Sequence, residues 1–235
     1  MKKKNLILFF YLLFLTSCVS AVLKLTGITE ANAKVNQFNF EQKKCAFLGM
    51  HHIGKEEFYN DVKKKIDSLR KENFVVFYEG FKVSKSSDKQ DLKNNTMKFR
   101  KITNIPISLY IDSTNHAIGL DMKKWKLVNQ PEDKDLGIDS TKDINAELPF
   151  GVLINKFEER YGEIILDKCD FETPLLSKEY KCTSIKNGLQ KFQKLRNQEL
   201  AQQIMESKNK KIAIVFGKDH YKDLRKILDS VSKNR

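Results

Sequence analysis

Phe47-Leu-Gly-Met-His-His-Ile-Gly-Lys-Glu-Glu-Phe-Tyr59 is the stretch on which the fold turns. An apolar run, Cys45 to Leu48, leads into Gly49; two histidines follow, then Gly54. Beyond the turn, Phe58, Val62, Ile66 and Leu69 recur at helical spacing. The order is strand, tight turn, helix. In open α/β sheets ligands bind in the crevice beyond the carboxyl ends of the strands. His51 and His52 are expected at that edge, with Gly49 and Gly54 letting the backbone bend. Neighbouring strand residues point to opposite faces, so if His52 faces the crevice His51 turns away.

A second copy of the arrangement lies near the carboxyl terminus. Ile212 to Phe216 is a continuous apolar run, as in a parallel strand covered on both faces. It ends in Gly217-Lys-Asp-His220, repeating the Gly-x-x-His spacing of Gly49 to His52, and Tyr221, Leu224, Leu228 and Val231 continue as a helix. Between the two copies, Phe74 to Tyr78 reads as a β-branched and aromatic strand ending at Glu79-Gly80. Taken alone, Glu79 is an ordinary strand-end carboxylate or helix cap; beside two Gly-x-x-His turns it is a site candidate. These features predict an α/β domain with a central, mainly parallel sheet and flanking helices.

The helix from Leu189 to about Glu206 carries an apolar stripe of Leu189, Phe192, Leu200 and Ile204, with Arg196 in its middle and Asn197 bordering it. A buried guanidinium needs a partner. Either its stem lies on apolar surface and its head reaches water, or it is aimed at a carboxylate or an anionic transition state. Lone histidines are more often structural, and His116 is read so. Elsewhere, residues 82–95 read as a loop before an irregular helix to Lys101, and Phe150 to Tyr161 as a helix. Residues 105–130 are without a clear period, apart from a short strand at Ile118 to Asp121 and Trp125 as an apolar anchor. The acidic run Asp135 to Asp143 either lines the site or is solvated, and residues 163–187 form an insertion.

Lys2 to Lys4 and the apolar Leu6 to Leu15 have the form of a secretory signal. Leu15-Thr-Ser-Cys18 resembles a bacterial lipobox, which makes residues 1–17 a signal peptide, Cys18 the lipidated residue, 18–40 a lipidated tether and 41–235 the domain. The alternative is an uncleaved anchor helix, for which the apolar stretch is short. The expected location is the bacterial cell envelope, lipid-anchored, at the outer membrane or cell surface rather than the inner membrane. The net charge of +13 allows nucleic acid as a partner. The lysines are spread along the chain and no nucleic-acid motif occurs, so no nucleic-acid partner is expected; a basic surface also suits anionic lipid headgroups. In an exported chain Cys169 and Cys182 are candidates for a disulfide, Cys45 reads as a small buried residue, and the absence of Cys-x-x-Cys argues against a cysteine zinc site.

Two neutral histidines and a carboxylate are ordinary ligands for a divalent transition metal, which activates water when it keeps an open position. Arg196 or Asn197 then stabilises developing negative charge. Gly49-Met-His-His52-Ile-Gly54, Phe58-Tyr59, Glu79, Arg196-Asn197 and Gly217-Lys-Asp-His220 together resemble the signature of the Tiki/TraB/GumN superfamily, related to erythromycin esterase-like and ChaN-like proteins. The resemblance implies an α/β sheet with flanking helices. It also implies an activity like that of the membrane-tethered Tiki proteases, which use manganese or cobalt to clip extracellular proteins. His52, Glu79 and His220 are then the metal or catalytic core, and Arg196 and Asn197 support it. The chain departs from the pattern at Met50, where a small polar residue is usual, at the extra His51, and after His220, where Tyr221-Lys-Asp-Leu replaces a glycine-bearing continuation. The expected function is a membrane-anchored metal-dependent hydrolase acting on peptides or proteins. The alternatives are a haem- or iron-binding surface lipoprotein with His51, His52, Tyr59 or Tyr221 as axial ligands, or a binding module of the same fold without turnover.

Overall fold

The two apolar runs that end in Gly-x-x-His are neighbours in space. The computed structural model describes residues 23, 25–80, 88–107, 121–177 and 179–233. In chain order the elements are β1 (Val35–Phe40), β2 (Lys43–Met50), β3 (Ile53–Gly54), α1 (Glu56–Lys71) and β4 (Val75–Tyr78). Then come α2 (Lys89–Thr103), α3 (Met122–Trp125), β5 (Val128–Asn129), β6 (Ile144–Asn145) and α4 (Phe150–Tyr161). The chain continues through α5 (Lys168–Glu172), α6 (Gly188–Glu206), β7 (Lys211–Gly217) and α7 (His220–Lys233). The main sheet has the order β1-β2-β7-β4-β6, and β3 pairs with β5 separately. β2, β7, β4 and β6 are parallel, with Leu48 opposite Val215, Tyr78 opposite Val215 on the other side, and Tyr78 opposite Asn145. Within the main sheet, among the described residues, β1 alone runs antiparallel, with Val35 opposite Leu48; the separate β3–β5 pair is antiparallel as well. The fold is therefore α/β, with a mostly parallel central sheet flanked by helices.

Alternation along the strands sorts their side chains to two faces. Ala46, Leu48, Val76 and Val215 pack under Phe58, Val62, Ile66 and Leu69 of α1. Cys45, Phe47, Phe77 and Ile214 pack under Leu200 and Ile204 of α6 and Leu224 and Leu228 of α7. Both faces of β2 and β7 are covered, which is why those strands read as unbroken apolar runs. A third cluster fills the space between α2, α4 and α6, with Phe99, Phe150, Phe157 and Phe192 in contact through tilted and edge-on rings. Helix α6 starts hard against α2 there. A Cβ on Gly188 would stand 1.9 Å from the carbonyl oxygen of Ile102. Gly188→Ala is expected to force the two helices apart and lower stability by about 1–3 kcal/mol, read from thermal melts; an unchanged melting temperature would contradict the close approach.

Several expectations need correction or placement. Residues 35–40, expected as the end of the tether 18–40, are strand β1. The run Asp135 to Asp143 does not reach the site: Asp143 receives Arg70 at 2.5 Å, and its other bond is to the Asp139 N–H. Trp125, expected as an apolar anchor, is partly buried at the end of α3. The insertion at 163–187 is closed by a Cys169–Cys182 disulfide. It is also gripped from beneath. Arg100, 1% exposed, donates to the carbonyls of Asp170, Thr173 and Pro174, and Lys101 pairs with Asp167 and Asp170. The signal peptide 1–17, Cys18, His116 and residues 118–120 lie outside the described residues. Among the described residues no helix is long and apolar enough to cross a membrane.

Candidate active site

Parallel strands in register finish at the same edge. Here β4 delivers Glu79, β7 delivers Gly217 and then His220 at the start of α7, and β6 delivers Glu147. The Glu79 N–H continues the ladder to the carbonyl of Val215 at 3.0 Å, which fixes where its carboxylate can go. One carboxylate oxygen, Oε2, accepts the Gly217 N–H at 2.7 Å; the other, Oε1, accepts Arg196 Nη2 at 2.5 Å and stands 3.8 Å from His220 Nε2.

Arg196 and Asn197 reach this edge from α6, as successive residues serving different partners. The Arg196 guanidinium is buried and lies between two carboxylates. Nε donates to both oxygens of Glu147 at 3.1 and 3.0 Å, and Nη2 is shared by Glu147 and Glu79. The carboxylates it meets are thus the chain's own. Asn197, 2% exposed, places its carboxamide oxygen 2.7 Å from His220 Nδ1. That oxygen can only accept, so Nδ1 carries the proton and the Nε2 lone pair faces Glu79.

Glu147 was not a sequence candidate. It follows the two-residue strand β6, too short to announce itself by alternation. Its placement depends on Asn145, whose carboxamide accepts from the Gly80 and Glu147 N–H groups at 3.1 and 3.0 Å and donates to the Gly80 carbonyl at 2.8 Å. This clip aligns the two acid-bearing strand ends. It also explains the glycine, because a Cβ on Gly80 would stand 2.9 Å from the Asn145 amide nitrogen.

The charges are set by these contacts. Burial alone raises the Glu79 pKa, but the Arg196 charge, His220 and the Gly217 N–H overcome it and hold the group down to about 2. Burial pushes His220 below the usual imidazole value against the pull of Glu79, so the ring is neutral at pH 7. Burial raises Glu147, outweighing Arg196, with Glu79 adding to the rise. One guanidinium is therefore shared by an acid held well below the usual carboxylate range and one that burial pushes above it.

The two histidines after β2 part company. His51 is half-buried and edge-on to Phe58 at 5.1 Å, and the Tyr59 hydroxyl donates to its carbonyl at 2.9 Å. Burial, with Lys218 adding, lowers its pKa to about 4. His52 is exposed on the turn, its carbonyl accepts the Gln130 N–H at 2.8 Å, and its charge is felt by His220. Tyr59 belongs to the core, and Tyr221 packs on Phe47 at 5.1 Å.

The donor chemistry suits a divalent transition metal. His220 offers Nε2 with Nδ1 already committed to Asn197, the arrangement usual for a metal-binding imidazole. Glu79 is ionised, and each of its oxygens, holding one hydrogen bond to Arg196 or Gly217, has a further lone pair. Among the described residues, however, no group of three or more His, Cys, Asp and Glu side chains stands close enough to hold a metal. Glu79 and His220 are brought together; His52 lies on the same edge, out on the turn. Fold and site define an α/β protein with a buried acid–arginine–acid cluster and an oriented imidazole at the carboxyl edge of its sheet. No protein-family model, curated protein or solved structure matches the chain.

Proposed function

We propose that the protein is a metal-dependent hydrolase of the Tiki/TraB/GumN type, acting on peptide bonds and anchored to the bacterial envelope through Cys18. The observation that supports this reading is the oriented imidazole: the Nε2 lone pair of a neutral His220 faces an ionised Glu79 at the ligand edge of the sheet. The proposed ligands are His52, Glu79 and His220, for manganese or cobalt. When bound, such an ion supplies a Lewis acid and a water of lowered pKa.

The chain's own residues do the rest. Asn197 holds the His220 tautomer and ring plane. Arg196 and the Gly217 N–H keep Glu79 ionised and fixed in direction, so Glu79, with its pKa near 2, serves as a ligand and a charge rather than as a proton acceptor. Arg196 and Asn197 are read as positioning residues because each is bonded to a site side chain, Arg196 to Glu79 and Glu147 and Asn197 to His220. For the haem alternative, His51 is half-buried, Tyr59 is in the core and Tyr221 lies tilted against Phe47, which leaves His52 as the exposed ligand.

The test uses the full-length chain in detergent, incubated with manganese or cobalt and a degenerate peptide pool. Products are read by mass spectrometry and bound metal by elemental analysis. Cleavage that needs the metal and disappears in His220→Ala and Glu79→Gln is expected. Cleavage that persists in His220→Ala, or metal bound equally well by both variants, would refute the assignment.

A further inference from the structure

An open groove of about 810 Å³ lies away from the site cluster, between α2, the first turns of α4 and the segment 163–166. It shares one stretch with the site: Glu147 grips Arg196, and Pro149, two residues on, is part of the groove wall. Its lining combines three kinds of group. Val152, Ile165 and Phe171 are apolar side chains left 40%, 73% and 58% exposed. Asn95 and Asn155 present carboxamides that make no hydrogen bond within the described chain. Along one rim, the backbone of Ile165 and Leu166 belongs to no helix or strand and makes no hydrogen bond within the described chain either.

We propose that this groove binds an extended, apolar peptide segment carrying positive charge. Backbone on a rim that belongs to no helix or strand and has its N–H and C=O groups unpaired is open to an added strand, whose alternate side chains then fall into the apolar trough. The carboxamides of Asn95 on α2 and Asn155 on α4 offer a donor and an acceptor each, the complement of a peptide unit. Those polar features would be wasted on a lipid chain or an apolar small molecule. The sign of the charge follows from the rim. Asp91 and Glu163 are exposed carboxylates with no ion pair among the described residues, whereas the lining lysine, Lys98, is already held by Glu158 at 2.7 Å. On a chain of net charge +13 this is a locally acidic trough. It repels acidic segments and favours basic ones. The inference concerns binding alone and holds whether or not the bound segment is cleaved.

The probes are two fluorescein-labelled octapeptide pools that alternate apolar residues with threonine, one with lysine at both ends and one with glutamate. Anisotropy is measured with the full-length chain in detergent. The lysine-ended pool is expected to bind at least ten-fold more tightly than the glutamate-ended pool. Phe171→Asp, and separately the pair Asn95→Ala with Asn155→Ala, should weaken its binding at least ten-fold. All three positions are at the surface, so folding is retained, as circular dichroism will check. His220→Ala should bind as the parent does; a parent chain that binds the peptides but never cleaves them with manganese or cobalt present would sink the peptidase reading and leave the groove standing. No saturable binding of the lysine-ended pool, equal binding of the two pools, or binding unchanged in Phe171→Asp would overturn the proposal. So would Phe171-dependent attachment to phosphatidylglycerol vesicles that displaces the peptides, which would make the trough a membrane contact instead.

Discussion

Replacing Arg196 by methionine is expected to lower the free energy of unfolding by about 3–5 kcal/mol, the cost of breaking a buried ion pair from one side. Methionine keeps much of the stem's volume in the apolar stripe of α6, so the effect isolates the guanidinium. Without it, Glu147, whose side chain is 3% exposed, and Glu79 face each other with no cation between them. Glu147 then has to take up a proton or find water, and the β4 and β6 ends lose the link that joins them to α6. Adding Glu147→Gln to Arg196→Met should recover part of the loss, because it removes one of the stranded charges. Arg196→Lys should recover little, since one ammonium cannot supply the Nε and Nη2 donors in their fixed fork. Urea denaturation at pH 7 measures all three. A loss below about 1 kcal/mol for Arg196→Met would mean that the cluster contributes little to organising the edge.

The second large effect is with acid. In the metal-free chain, stability is expected to decline as pH falls below about 6.5. His51 takes a proton near 6.5 when unfolded but only near 4 when folded, and His220 is lowered in the same direction. Across that window the unfolded chain binds more protons, so each step down in pH favours it. Below about 4.5 Glu79 joins them. Its folded pKa near 2 lies under the ordinary 4.5, so its contribution is present above 4.5 and is lost as pH falls toward 2. That contribution is on the order of 3 kcal/mol. Glu147 runs the other way: its raised pKa lets the folded state take a proton first, offsetting part of the decline. Urea midpoints recorded from pH 7 to pH 3 in a chelator give the profile. A flat profile from pH 7 to pH 4 would show that the two imidazoles are solvated in the fold.

What could be read in advance was whatever a repeating pattern had to reveal. The strands buried on both faces showed as continuous apolar runs, and Glu79 and His220 could be placed because they were the polar residues next to them. Arg196 and Asn197 stood out because a cation in the middle of an apolar helical stripe has to be explained by a partner. Glu147 is that partner, yet it stayed hidden: β6 has two residues, and two residues carry no period. Strand β1 was hidden for another reason. It is an edge strand of mixed polarity, Val-Asn-Gln-Phe-Asn-Phe, with only Phe40 fully buried, so it looked like tether. Arg100 and Lys101 carried no sign of their role, since nothing local shows that a later segment will fold back and set its carbonyls on one and its carboxylates on the other. Nor could spacing decide between His51 and His52, because that choice depends on how Phe58 and Tyr59 pack one helical turn later.

The reversed direction of β1 has a last consequence. Because Val35 stands opposite Leu48, the amino-terminal segment enters the fold on the same rim as the strand ends, with Thr26 accepting a hydrogen bond from Lys218 and Gly27 lying against His51. A chain held by lipid at Cys18 would have five residues from there to Leu23, a leash of about 17 Å at full stretch. Such a leash would turn the rim that carries Glu79 and His220 toward the bilayer and keep the opposite end of the sheet in solvent. Whatever stands up from the same leaflet would then meet the site at high local concentration, while freely diffusing molecules would have to find a mouth that faces the floor.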